Sequence, residues 1–89
     1  MALSFPNKSR SFDARRNRVQ FWGYDSAMEI SFFVVADALR KLSPEMSGTE
    51  AGVLKAFDVA RKRIHEVASE IYARGQKGIY AHMLAAADF

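Results

Sequence analysis

The chain has 89 residues, 49% of them hydrophobic and 26% charged, with a formal net charge of +3 and no cysteine. A chain of this length buries only about 60–65% of its unfolded surface, which fits one domain with a single two-layer core and argues against a deep two-domain catalytic cleft. The lack of cysteine excludes disulfides, thiolate nucleophiles and cysteine-based zinc sites, and the apolar content excludes disorder.

Met1 to Arg10 carries no apolar run of signal-peptide length, and the longest apolar runs elsewhere are Phe32 to Ala36 and Met83 to Ala87. Neither approaches a membrane span, so the expected location is the cytoplasm. The positive charge is uneven. Lys8, Arg10, Arg15, Arg16 and Arg18 stand against one carboxylate, Asp13, in the first eighteen residues.

Ala2 to Phe5 predicts a short strand with Leu3 and Phe5 on one face, ended by Pro6, which has no N–H to give to a ladder. Asn7 to Asn17 reads as a polar, basic loop tethered to the core by Phe12. From Arg18 to Tyr24 the pattern alternates, with Val19, Phe21 and Gly23 on one face and Gln20, Trp22 and Tyr24 on the other. Asp25 and Ser26 supply turn chemistry. Met28 to Val35 follows as a second strand, with Met28, Ile30, Phe32 and Val34 facing a helix and Glu29, Ser31, Phe33 and Val35 turned away. Ala36 to Leu42 predicts a short helix capped by Asp37, with Leu39 and Leu42 inward and Pro44 stopping it.

The strongest periodic signal runs from Ser47 to Gly75. Val53, Phe57, Ala60, Ile64, Val67 and Ile71 recur at spacings of four and three, one stripe of a single long helix. Lys55, Asp58, Lys62, Glu66, Glu70 and Arg74 form its solvated face, with Asp58 to Lys62 and Glu70 to Arg74 as pairs four apart. Ser47 and Glu50 have capping-box spacing, and Gly75 suits a left-handed C-terminal cap. After the Gln76-Lys77-Gly78 turn, Ile79 to Leu84 reads as a last strand, expected antiparallel to its neighbour because a long helix carries the chain back across the sheet. Phe89 is a candidate anchor. The fold class is α+β: a small, mainly antiparallel sheet against one long helix, with a short second helix, in a single domain over residues 1–89.

Several strings match a known pattern: Phe5-Pro6, Ser11-Phe12-Asp13, Val19-Gln20-Phe21-Trp22-Gly23, Ile30-Ser31-Phe32-Phe33, Asp37-Ala38-Leu39, Gly78 and the closing Ala87-Asp88-Phe89. With the long helix, they resemble the small bacterial family called domain of unknown function 1488, over nearly the whole chain. The resemblance implies a single α+β domain and brings no activity, substrate or catalytic residue with it.

No segment has the spacing of a catalytic, metal or cofactor motif. His65 and His82 lack a carboxylate or second histidine at ligand spacing. Gly75-Gln76-Lys77-Gly78 follows a helix, whereas a phosphate-binding loop precedes one. The expectation is a non-enzymatic interaction or accessory module without cofactor or metal. Trp22, Tyr24, Phe33 and Val35 share the sheet face that the long helix leaves free, and Trp and Tyr anchor interfaces; either the short helix with Leu39 and Leu42 hides that face, or it is the candidate contact for a homodimer or another protein partner. The alternative is weak, sequence-tolerant nucleic-acid binding, with Lys8, Arg10, Arg15, Arg16 and Arg18 on phosphates and the neighbouring aromatics stacking on bases.

Overall fold

The structure, a computed structural model, describes residues 3–75 and 81–89. Its centre is the antiparallel hairpin of β3 (Arg18–Asp25) and β4 (Met28–Val35), paired from Arg18↔Val35 to Asp25↔Met28. β-Branched and aromatic residues dominate both strands, and alternation sets one face toward the core. Ser26 and Ala27 form the turn between them. Ser26 has φ 57 while Ala27 stays at negative φ, the pattern of a type II′ turn, whose twist matches that of the strands.

Two short strands lie on the other side of β3. β1 (Leu3–Ser4) pairs Leu3↔Asp25 and Ser4↔Tyr24, and β2 (Arg10–Asp13) runs from Arg10↔Phe21 to Asp13↔Arg18. Phe5 to Ser9 arches between them, and Asn7 Oδ1 accepts the Ser9 amide at 3.0 Å inside the arch. Arg10 to Asp13 was expected in a loop. It is a strand because Phe12 fills the core-facing position opposite Val19 and Arg10 has a carboxylate partner on that same face. The turn into β3 is built by Asp13, whose Oδ1 accepts the amides of Arg15 at 3.1 Å and Arg16 at 3.2 Å. Asn17 takes the left-handed φ of 51 that asparagine tolerates.

The helices pack on the face of Val19, Phe21, Ile30, Phe32 and Val34. α1 (Ala36–Leu42) has the expected bounds but is capped by Val35, with Asp37 inside the first turn and no side-chain cap bond. The expected single long helix is two: α2 (Glu50–Val59) and α3 (Arg61–Arg74) meet at Ala60, with φ −95 and ψ 9. The stripe survives the break, with Val53, Phe57, Ile64 and Val67 at most 1% exposed. α2 starts later than the capping-box reading, and Thr49 rather than Ser47 caps it, its Oγ1 accepting the Gly52 amide at 3.1 Å. Ser47 supports the cap from outside, 2.7 Å from the Thr49 hydroxyl. Gly75 is extended (φ −76, ψ 167), not left-handed, and its amide donates to Tyr72 O at 3.2 Å to tighten the last turn.

β5 (Ala81–Leu84) pairs with β4 in parallel, from Ser31↔Ala81 to Val34↔Leu84, not antiparallel as expected. The helices form a crossover that returns the chain to the same end of the sheet, and a crossover joins parallel neighbours. The turn expected at Gln76-Lys77-Gly78 and the strand positions Ile79 and Tyr80 lie outside the described residues, as does Ala2. A single 3₁₀ turn, Ala86–Asp88, follows β5, and Phe89 packs against the core as anticipated. The architecture is α+β, a mainly antiparallel five-stranded sheet with helices on one face. No helix among the described residues is long and apolar enough to cross a membrane.

Candidate interaction surface

Register assigns each side chain to a face. Opposite the helices, β3 presents Arg18, Gln20, Trp22 and Tyr24, and β4 presents Val35, Phe33, Ser31 and Glu29 directly across from them. β5 adds Met83 beside Phe33 and Ala81 beside Ser31. The four expected interface residues, Trp22, Tyr24, Phe33 and Val35, thus do share one face. None of the described helices covers it, and Met83 is 47% exposed.

Arg18 gives this face its structure. Its guanidinium lies 3.9 Å above the centre of the Phe33 ring, one nitrogen 3.9 Å from the Met83 sulfur. Its Nε is buried 3.6 Å from Asp13 Oδ2, beyond hydrogen-bond distance. Cation, ring and thioether form a flat layer, in which stacking on the aromatic face compensates for lost water. At the far end the Tyr24 hydroxyl donates to Glu29 Oε2 at 2.9 Å, and that bond holds the phenol pKa above its usual value.

The five cations of the N-terminal segment do not converge. Arg10 turns to the helix face and meets Asp58 of α2 with two parallel bonds of 2.9 Å. Arg61 also donates to Asp58, at 2.7 Å, and to the Lys8 carbonyl at 3.3 Å. Asp58 therefore pairs with these arginines and not with Lys62 as its spacing suggested. Hydrogen bonds from Arg10, then Arg61, outweigh partial burial and hold its carboxyl below the usual range. Its own hydrogen bond to Asp58, against a small desolvation effect, raises the Arg10 guanidinium pKa. Lys8 is exposed on the arch, and Arg15 and Arg16 are exposed on the tight turn. Arg16 reaches Asp13 at 3.3 Å. Partial burial alone would raise the Asp13 carboxyl, but the amide and guanidinium of Arg16 and the amide of Arg15 together hold it low.

Both histidines are packed against rings. His65 stacks on Phe5 at 3.9 Å with planes 7° apart and is half-buried, in keeping with its position off the centre of the apolar stripe. Burial first, and the Arg61 charge second, lower its pKa to about 4. His82 stacks on Phe32 at 5.6 Å and meets the edge of Tyr72 at 5.8 Å. No group of three or more potential metal ligands occurs among the described residues. Sequence reasoning placed Glu29 on this face with Ser31, Phe33 and Val35, and missed Met83 and the part Arg18 plays in covering Phe33. Alternation from Trp22 already places Arg18 there, whereas Met83 depends on the parallel register.

The sequence profile of a family described as "Protein of unknown function (DUF1488)" matches residues 3–83. The chain belongs to the DUF1488 family. A crystal structure of a DUF1488 protein of unknown function from Shewanella loihica PV-4 is similar over 89% of each chain, with a TM-score of 0.73 and 20% sequence identity. At that identity the likeness shows the fold of the DUF1488 domain. A search of the curated proteins finds no match.

Proposed function

We propose that this protein is a non-enzymatic interaction module of the bacterial cytoplasm that associates with a second copy of itself through the open face of its sheet. The observation that carries this reading is the layer of Trp22, Phe33, Met83 and Arg18, an aromatic and cationic surface of interface composition that none of the described helices covers. Ring packing of both histidines supports a structural role for the side chains most often used as acid–base groups.

Size sets the expected strength. The two eight-residue strands β3 and β4 with the shorter β1, β2 and β5 beside them, at about 3.4 Å per residue and about 4.8 Å between strands, give roughly 400 Å² per copy. This is below the roughly 800 Å² per partner of a standard interface, so the dimer is weak, with a dissociation constant in about the micromolar range. Light scattering after size exclusion, over a concentration series, should show a monomer–dimer equilibrium. Trp22→Ala combined with Phe33→Ala should shift it to monomer, because truncating central aromatics costs an interface most. A monomer at every concentration sinks this reading. If that monomer gained mass with a single-stranded oligonucleotide and lost it as salt rose, nucleic-acid binding through Lys8, Arg10, Arg15, Arg16 and Arg18 would take its place.

A further inference from the structure

The open face has two unlike ends. Where β3 begins, Arg18 lies beside the turn carrying Arg15 and Arg16, three cations against the Asp13 carboxylate. At the opposite end Tyr24 and Glu29 are paired, and Asn7, Ser9, Trp22, Tyr24 and Glu29 line a hollow of about 290 Å³. Aromatic rings beside a carboxylate are what a guanidinium recognises, through ring contact and charge-assisted hydrogen bonds. On one chain the two ends are about 20 Å apart, six residues of strand, too far for Arg18 to reach Glu29. A second copy removes that separation.

Two sheets stacked face to face in a symmetric dimer are related by a two-fold axis lying between them. Strands of aligned sheets stay near parallel, so the axis runs either along the strands or across them. An axis along the strands sets the two Arg18 ends together and the two Glu29 ends together, like charge against like. An axis across the strands reverses the order of the rows. Gln20 then lies over the partner's Trp22, Phe33 over the partner's Ser31 and Met83 over the partner's Ala81. Bulky side chains fall over small or unbranched ones in each of these rows, as interdigitating faces require. The Arg18 guanidinium, already flat on its own Phe33, faces the partner's Ser31 with the partner's Trp22 and the partner's Glu29 on either side.

Resting on the self-association proposed above, we infer that the two copies meet with the two-fold axis across the strands, β3 antiparallel over β3, held in register by reciprocal contacts of Arg18 with the partner's Glu29. The fit is to a second copy of this chain, because the hollow and the cation that suits it are on the same surface.

Sedimentation of charge variants tests the register. Glu29→Arg and Arg18→Glu should each weaken the dimer by about tenfold, since each sets like charges opposite one another at two symmetric places. An equal mixture of the two variants should recover wild-type affinity as a heterodimer. Raising salt should weaken the wild-type dimer and leave Glu29→Gln nearly unaffected. Arg18→Glu also places a carboxylate beside Asp13, so its fold is checked by circular dichroism. The exposed Glu29 variants carry the test independently. Single variants that dimerise as well as the wild type, with no salt dependence, overturn the register while leaving the dimer standing. A wild type that never dimerises overturns both.

Discussion

His65 titrates as its neighbours dictate. Stacked on Phe5 with Arg61 nearby, its imidazole is easier to keep neutral in the fold, pKa about 4, than in the unfolded chain near 6.5. A depressed histidine pKa means the unfolded chain takes up the proton first. Its stabilising contribution is therefore complete above pH 6.5 and is lost as pH falls from 6.5 toward 4. Melting temperatures measured across that window should fall for the wild type and stay flatter for His65→Phe. Asp58, with its lowered pKa, adds a further loss below the ordinary carboxylate range. Gly23 makes the second argument at this scale. A Cβ there would stand 2.8 Å from Phe5 Cε1 and 3.1 Å from Leu3 Cδ1, so the absence of a side chain lets the Leu3 and Phe5 side chains lie over β3 and brings Phe5 to His65. Gly23→Ala should cost about 1–3 kcal/mol in a denaturant titration, the range for overpacking a filled site.

Between β3 and β4 the type II′ turn places Ser26 at the position glycine prefers. Ser26→Gly should raise stability by about 0.5–1 kcal/mol, read as a shift in denaturant midpoint, because relief of the positive φ outweighs the added freedom of the unfolded chain. The Arg10–Asp58 pair ties β2 to α2 in bidentate geometry, but its side chains are 33% and 41% exposed. Asp58→Asn should therefore cost no more than about 1 kcal/mol, and less in high salt. Elements were legible where pattern and packing agree. β4 and α1 have the bounds that their periodicity predicts, and Val53, Phe57, Ile64 and Val67 point where the stripe puts them. The break at Ala60 was not legible, since it uses the bridge region that any residue enters and carries neither proline nor glycine. β2 was hidden by composition, as Arg10 and Asp13 look like loop residues until their partners on α2 and β3 are known.

For the molecule as a whole, all the described helices lie on one side of the sheet, which makes the other side the question. Alternation along β3 and β4 placed Trp22, Tyr24, Phe33 and Val35 together from sequence, because a period of two needs no knowledge of the rest of the fold. It did not show how the basic segment would be shared out. Arg10 leaves for the helices, Arg18 lies down on Phe33, and Arg15 and Arg16 stay on the turn, each destination fixed by a partner distant in sequence or by the turn itself. The edge formed by β1 and β2 is interrupted by the arch containing Pro6, a break that discourages strands of another molecule from adding there.

The parallel pairing of β4 with β5 has a consequence for how the chain reaches this state. The β3–β4 hairpin closes over two residues, while β5 can dock only after the helical crossover has brought Ala81–Leu84 back beside β4. Loop closure on that scale must be offset before its contacts return anything, so the hairpin belongs to the folding nucleus and β5 to the last stage. In stopped-flow experiments Ser26→Gly should speed folding. Leu84→Ala, which empties a fully buried position, should leave the folding rate almost unchanged and accelerate unfolding.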